Sequence, residues 1–372
     1  MRTLFTMTTA GALAVTAAAS DSLFFVGTYT KGVPSEGIYA GRLNTRTGEL
    51  GAVALAGKAE DPSFLALSPD SKFLYACSSE KNGSVVAFRI DSPTSLVRLN
   101  EREAGGKGLC HVSVDAEGLN VLAASYHGGT IFCFPIRADG SLGETTATIA
   151  FTGTGLDPKR QQKPYAHSIY TDPQDRFVYA CDLGTDSIWT FAFDPGKGTL
   201  TPTAPPAAKV PPGGGPRHLA LHPDGGFAYA NNEMGLSVTA FSRNQKTGIL
   251  SPIQTVPTLP PGAMEDGVTT AEIQCHPNGK WLYVSNRGHD SIAIFSIGSD
   301  GKLTRIGTAP CGVKVPRGFS IDPSGRWLVV GGQNDNRLTV LKIDPASGQL
   351  SPTGHYTEVG SPVCVLFPGT RR

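Results

Sequence analysis

The sequence predicts an all-β protein, a seven-bladed β-propeller whose ring is closed by strands from both termini. Three observations carry this prediction: a motif repeated along nearly the whole chain, the spacing of its copies, and two incomplete copies at the ends. The motif is an alternating apolar run, a turn written (S/D/H)-P-(D/N/S)-G or a close variant, and a second run rich in aromatics. The copies read PSFLALSPDSKFLYACSS, CHVSVDAEGLNVLAASY, AHSIYTDPQDRFVYACD, PRHLALHPDGGFAYANNE, AEIQCHPNGKWLYVSNR and PRGFSIDPSGRWLVVGGQ. Within each run the apolar residues recur every second position, which is the strand period and excludes a helical solenoid. A third run follows each copy, as in GSVVAFRI, GTIFCFPI and DSIWTFAF, and a turn such as DPGKGTLTP or NQKTGILSP opens a fourth.

The turn position falls at Pro69, Ala116, Pro173, Pro223, Pro277, Pro323 and Pro368, at intervals of 47, 57, 50, 54, 46 and 45 residues. Four short strands in a period of that size make a propeller blade. Near the C-terminus GSPVCVLFP reads as a first strand with no second strand after it. Near the N-terminus SLFFVGTYTKGVPSEGIYAGRL reads as second and third strands with no first strand before them. The two ends therefore complete one blade together, and closure removes the exposed sheet edges of an open array. The expected organisation is one domain over residues 21–370. The preceding 20 residues, MRTLFTMTTAGALAVTAAAS, read as a secretory signal or a disordered start. Export is favoured over a cytoplasmic location on that reading, although seven cysteines, an odd number, speak mildly for a reducing compartment. Most of the cysteines lie inside apolar runs and none is in a C-x-x-C pair, so they are expected to pack as small hydrophobes.

A formal net charge of +1 and the lack of any Lys/Arg run exclude a phosphate-tracking surface, so no nucleic-acid partner is expected. No segment beyond the leader is long and apolar enough for a membrane span. A monomer acting on a small molecule is expected. No clustered His/Cys/Asp/Glu spacing suggests a metal, and no cofactor is expected.

Strands one and two of a blade are antiparallel, so the start of the first and the end of the second share one face of the disc. Strand one is innermost, which brings those positions to the mouth of the central channel. Strand-one starts give Ser63, His111, His167, Arg217 with His218, Glu272 and Arg317; strand-two ends give Tyr126, Asp182, Glu233, Arg287 and Gln333. His111, His218 and Glu272 lie one residue nearer the turn than His167, Arg217 and Arg317, so side-chain directions within the set differ. Arginines, carboxylates and imidazoles gathered on one mouth predict a polar cleft that binds or reacts, weighed against ion pairs that merely stitch blades together. His289 and Asp290 in NRGHDS align with the turns GTDS and MGLS and are read as turn residues. The longest interval contains GTGLDPKRQQKPYAHS, whose Lys159, Arg160 and Lys163 are read as a rim or lid ahead of His167, or as a solvated loop.

With those residues placed, the chain resembles the lactonase family of seven-bladed propellers from FFVGTYT to GSPVCVLF. The motifs that carry the resemblance are VGTYT at 26–30, RQ…P…HS from Arg160 to Ser168, GPRH at 215–218, NNE at 231–233, AEI at 271–273 and SNRGHDSI at 285–292. The resemblance implies hydrolysis of a sugar-acid lactone, most concretely 6-phospho-D-glucono-1,5-lactone to 6-phosphogluconate. It implies a catalytic set of His167, Glu233, Arg217 and Arg287. Around the substrate are expected His218, Arg317, Glu272, His111, Arg160, Asp182 and Gln333. The alternatives are a muconate-type lactone cyclase, a hydrolase for an unphosphorylated lactone, and a secreted propeller that only binds, whose repeat LYVSN at 282–286 resembles. Family members often show P-H-x-H where this chain reads PYAH, with Tyr165 in the first His position.

Lactone hydrolysis needs an attacking water, a base for its proton and donors for the developing oxyanion. An imidazole with an ordinary pKa of about 6.5 suits His167 to the base role, and Glu233 is the other acceptor. Arg217 and Arg287 cannot be bases; they hold an oxyanion, a phosphate or a carboxylate through forked hydrogen bonds. There is no G-x-S-x-G elbow for a covalent serine route. Asp182, Glu233 and Glu272 are the carboxylates a calcium ion would draw on, though no metal is expected.

Overall fold

Each copy of the repeat folds into a small antiparallel sheet. In the computed structural model, which describes residues 21–79, 83–105, 108–263 and 267–369, seven such sheets of four strands each make up the molecule. The 20-residue leader expected at the N-terminus lies outside the described residues. Strand one of each blade contacts strand one of its neighbours, so the first strands form the inner ring. The first blade starts at Leu65–Leu67, and the next five at Leu109–Val114, Ala166–Thr171, Pro216–Leu221, Thr269–Cys275 and Pro316–Ile321. The seventh is shared between the chain ends. Pro362–Leu366 is its inner strand and pairs antiparallel with Asp21–Thr28, placing Phe25 against Leu366 and Val26 against Val365.

The apolar alternation predicts where the core sits, because each strand has a blade on both sides. Leu122, Ala124, Ile131 and Cys133 of the second blade pack with Ile169, Val178 and Ala180 of the third. Fully burying each aliphatic side chain contributes about 1.5–3 kcal/mol, so cohesion is spread round the ring. The aromatic of the second run adds a directional tie. Tyr75, Tyr179 and Tyr283 each donate their hydroxyl to a carbonyl of the next blade, at Gly140, Gly248 and Gly348, over 3.0, 2.9 and 2.9 Å. Gly140 has φ +84°, and a Cβ there would meet the Phe73 ring at 2.1 Å, so this corner requires glycine. Trp327 makes the corresponding link across the closure, donating Nε1–H to Thr45 O at 3.0 Å.

The P-D-G turns lie at this same end of the strands. His222 and His276 both place Nε2 2.8 Å from a carbonyl of the next blade, at Gly279 and Gly325. These turn histidines stitch blades together. His289 and Asp290 likewise occupy a turn, with Asp290 Oδ1 accepting from Val315 N at 2.9 Å.

One local irregularity recurs and decides the site. Pairing between strands one and two skips a residue near the start of strand one. The unpaired residue is Cys110 in the second blade, His167 in the third, Arg217 in the fourth and Arg317 in the sixth. In the fifth, Ala271 and Glu272 together oppose Ser285. Such bulges bend the strand and re-aim a side chain. They explain the one-residue phase slip visible in the sequence.

Candidate active site

The bulges on strand one and the residues just beyond strand two surround a cavity of about 530 Å³. Arg160, His167, Glu233, Arg287 and Arg317 line it, with Tyr29, Asp61, Cys110 and Tyr126. The position past strand two is defined by its backbone. Tyr29 N, Tyr126 N, Leu183 N, Glu233 N and Gln333 N each donate to a carbonyl just ahead of their own inner strand, at Ser361, Gly108, Tyr165, Gly215 and Val315. Arg287 holds the same place opposite Thr269.

Glu233 is the hub. Its buried carboxylate lies 2.6 Å from Arg160 Nη2, 3.2 Å from Arg217 Nε, 3.2 Å from Arg287 Nη2 and 3.9 Å from His167 Nε2. Burial alone would push its carboxyl up, but Arg287, Arg217, His167 and Arg160 hold it far below the usual carboxylate range. A carboxylate so strongly held is a countercharge and a poor proton acceptor. Arg160 comes from the long loop before the third blade and also donates to Tyr126 Oη at 3.2 Å. Gln161 anchors that loop by donating to Leu183 O at 2.8 Å and Asp186 Oδ1 at 2.7 Å.

His167 is buried, and its imidazole is kept neutral well below the usual 6.5 by burial first and then by Arg217 and His218. Its Nδ1 is 3.9 Å from Cys110 Sγ. The Cys110 thiol is itself pushed up to about 12 by burial, so it stays protonated. Arg217 is fixed from behind. His218 Nδ1 is 3.1 Å from Glu272 Oε1, and His218 Nε2 is 3.2 Å from Arg217 Nη1. A carboxylate only accepts and a guanidinium only donates, so His218 carries its proton on Nδ1. Arg287 donates to Thr270 O at 3.0 Å. Arg317 differs from the other three arginines. No carboxylate among the described residues pairs with it, and its guanidinium lies 5.5 Å from the centre of the Tyr29 ring. The mouth thus carries excess positive charge with one cation uncommitted.

Of the residues expected from sequence, His167, Arg217, Glu233, Arg287, Arg160 and Arg317 come together. Arg217, His218 and Glu272 do not line the cavity; Arg217 is buried behind Glu233, which it contacts, and His218 and Glu272 lie behind Arg217. His111 is deeper still, its ring 4.2 Å from Phe64 and 5.4 Å from His218, with Nδ1 accepting from Ile169 N at 3.3 Å. Asp182 is a correction. It pairs with Ala166 inside strand two, one residue short of the site position, which Leu183 occupies. Its oxygens accept from Tyr165 N at 2.7 Å, Gly184 N at 3.0 Å and Thr185 Oγ1 at 2.6 Å, capping the turn at Leu183–Thr185. Gln333 occupies the right position but faces a compartment next to the main cavity. Asp182, Glu233 and Glu272 have separate partners, and among the described residues no three His, Cys, Asp or Glu are grouped to hold a metal ion. Tyr29, Ser79, Asp61 and Cys110 were not anticipated. Tyr29 stands in the VGTYT motif, and Cys110 is in the bulge position, directly before His111.

Known proteins share this architecture and length. A 6-phosphogluconolactonase of Bacillus subtilis is 35% identical over 346 residues, covering 92% of this chain and 97% of that protein. A solved structure from Bacteroides fragilis is 37% identical with a TM-score of 0.87, covering 94% of this chain and 98% of that one. The Pseudomonas aeruginosa periplasmic gluconolactonase is 28% identical with a TM-score of 0.87, covering 94% and 99%. The family described as Lactonase, 7-bladed beta-propeller matches residues 23–367, and this chain belongs to it.

Proposed function

We propose that this lactonase hydrolyses 6-phospho-D-glucono-1,5-lactone to 6-phosphogluconate at the mouth of the inner ring. The observation that carries the reading is the contrast at Glu233: one carboxylate held by three arginines beside a neutral, buried imidazole. With Glu233 withdrawn as a proton acceptor, His167 Nε2 takes the proton from the attacking water. The new C–O bond forms at the lactone carbonyl, whose oxygen becomes an oxyanion facing Arg287, while Arg217 holds Glu233 from behind. The ring C–O bond then breaks, and the imidazolium returns its proton to the departing alkoxide. Glu233, 3.9 Å from His167 Nε2, stabilises the imidazolium between those steps. Arg317, with no carboxylate partner among the described residues, and Arg160 on its loop suit the substrate phosphate. The B. subtilis relative's name supports the phosphorylated substrate; the P. aeruginosa neighbour's name favours an unphosphorylated gluconolactone as the second reading.

Turnover of 6-phosphogluconolactone and of glucono-1,5-lactone above spontaneous hydrolysis, in wild type and in His167→Ala and Arg217→Ala, tests the reading. Rates no faster than spontaneous for both lactones in the wild type would overturn it. Unchanged rates in both folded variants would overturn the residue roles.

A further inference from the structure

A second compartment of about 490 Å³ adjoins the main cavity across the sixth and seventh blades, and Tyr29 and Asp61 line both. Lys31, Gln333, Asn334 and Asn336 supply most of its remaining polar lining. Each compartment alone falls within the ~300–1,000 Å³ that holds one small ligand. A hexonolactone is a single ring, and the groups that act on its carbonyl gather at the first compartment. The reaction proposed above therefore leaves the second without an occupant.

The chemistry of the two compartments differs. The first is cationic. In the second the only basic side chain among the described residues is Lys31, and it lies 3.7 Å from the Asp61 carboxylate, largely in solvent. The rest is amide, hydroxyl and aromatic, with the one aliphatic Val33. Gln333 Oε1 is buried without a hydrogen-bond partner among the described residues, and the Gln333 side chain lines the compartment. Asn336 Oδ1 is taken by Ser361 N at 2.8 Å, which leaves its NH₂ as the donating group. A phosphate calls for cations or clustered N–H donors. Neutral donors and acceptors beside a tyrosine suit a polyhydroxylated sugar ring.

We propose that the second compartment is a subsite for a sugar ring attached to the lactone, so that lactones of two-ring aldobionic acids are substrates. The inference rests on lactone hydrolysis at the first compartment. The step needs only water: its oxygen bonds to C1, the C1–O5 bond breaks, O5 takes the proton, and the glycosidic bond is untouched. The test uses the full-length protein and rates above spontaneous hydrolysis on four substrates. These are glucono-1,5-lactone, 6-phosphogluconolactone, lactobiono-1,5-lactone with galactose on O4, and melibiono-1,5-lactone with galactose on O6. At least one two-ring lactone is expected to match gluconolactone in kcat/KM within about tenfold. Gln333→Ala and Asn334→Ala are expected to lower the ratio of two-ring to one-ring kcat/KM by about tenfold, the effect of one lost hydrogen bond. Turnover of one-ring lactones alone, or a ratio unchanged in both variants, overturns the proposal and leaves the main reaction standing. A loss confined to 6-phosphogluconolactone in those variants also overturns it, by assigning the compartment to phosphate. Failure of every lactone removes the reading of the first compartment, and this inference with it.

Discussion

Replacing Glu233 with glutamine keeps the side chain's size and removes its charge, which separates the countercharge role from the base role. The carboxylate has guanidinium nitrogens at 2.6, 3.2 and 3.2 Å and a side chain only 7% exposed. At an effective dielectric of about 20, each contact near 3 Å carries roughly 5 kcal/mol of gross attraction. Arg160 is 41% exposed and solvent screens its share, so Arg217 and Arg287 carry the change. Desolvation offsets most of the gross attraction, but removing one partner strands buried charge and costs about 3–5 kcal/mol. An unfolding entropy of about 2.1 cal/mol/K per residue over 372 residues gives about 0.8 kcal/mol/K, so Tm falls by about 4–6 °C. Calorimetry at neutral pH reads this directly. In kinetics the released arginines bind anions more tightly, so KM for 6-phosphogluconolactone falls and inhibition by 6-phosphogluconate strengthens. The acid limb of the pH profile persists, because His167 remains. An unchanged Tm would refute the countercharge argument. Loss of the acid limb together with a drop in kcat beyond about 10⁴-fold would make Glu233 the base.

The acid limb of kcat/KM is expected below pH 6.5, because burial and Arg217 lower the His167 pKa and leave the base neutral as pH falls through the usual histidine range; a limb at or above 6.5 contradicts this. Arg160→Ala is expected to raise KM for the phosphorylated lactone about tenfold while Tm stays within about 1 °C, since a half-exposed ion pair contributes about 0–1 kcal/mol. Glu272→Ala frees His218 and hence Arg217, and is expected to lower kcat about tenfold with little change in KM. Glu272→Gln retains an acceptor for His218 Nδ1–H and should recover most of that loss. Equal losses in the two variants would show that Glu272 does not act by positioning Arg217.

Repeat spacing made the architecture legible down to the blade shared by the chain ends, because closure leaves each terminus with complementary missing strands. The candidate site was legible where the side chain was charged, as at Arg217, Glu233 and Arg287. It failed where a polar residue stood next to the true position. Asp182 drew attention as a carboxylate, yet the backbone bond from Leu183 N to Tyr165 O shows that the position belongs to an apolar residue. Tyr29 was hidden because its blade takes its inner strand from the far end of the chain, so no local hairpin flags it. Cys110 was hidden because a cysteine in an apolar context reads as a packing residue. The phase slip that separated His111 from His167 was visible, but only the register identifies it as a bulge.

The bulges also explain how a repeated sheet produces an asymmetric site. Backbone geometry fixes two positions in the second to seventh blades, the bulge and the residue beyond strand two, and sequence chooses their chemistry independently. The third, fourth and fifth blades place His167, Arg217 with Glu233, and Arg287 there, which makes one charged arc. The sixth and seventh place Arg317 with Gln333, and Tyr29, so that among these positions only Arg317 is charged, and no carboxylate among the described residues pairs with it. A ligand across the mouth therefore meets cations and an imidazole on one side, and amides and an aromatic on the other. A reacting carbonyl is stabilised only on the charged arc, where oxyanion donors stand beside the base. The rest of the ligand then extends over the sixth and seventh blades. Exchanging residues there should change which lactones bind without moving the chemistry, since substitutions in separate blades with no shared partner act nearly additively.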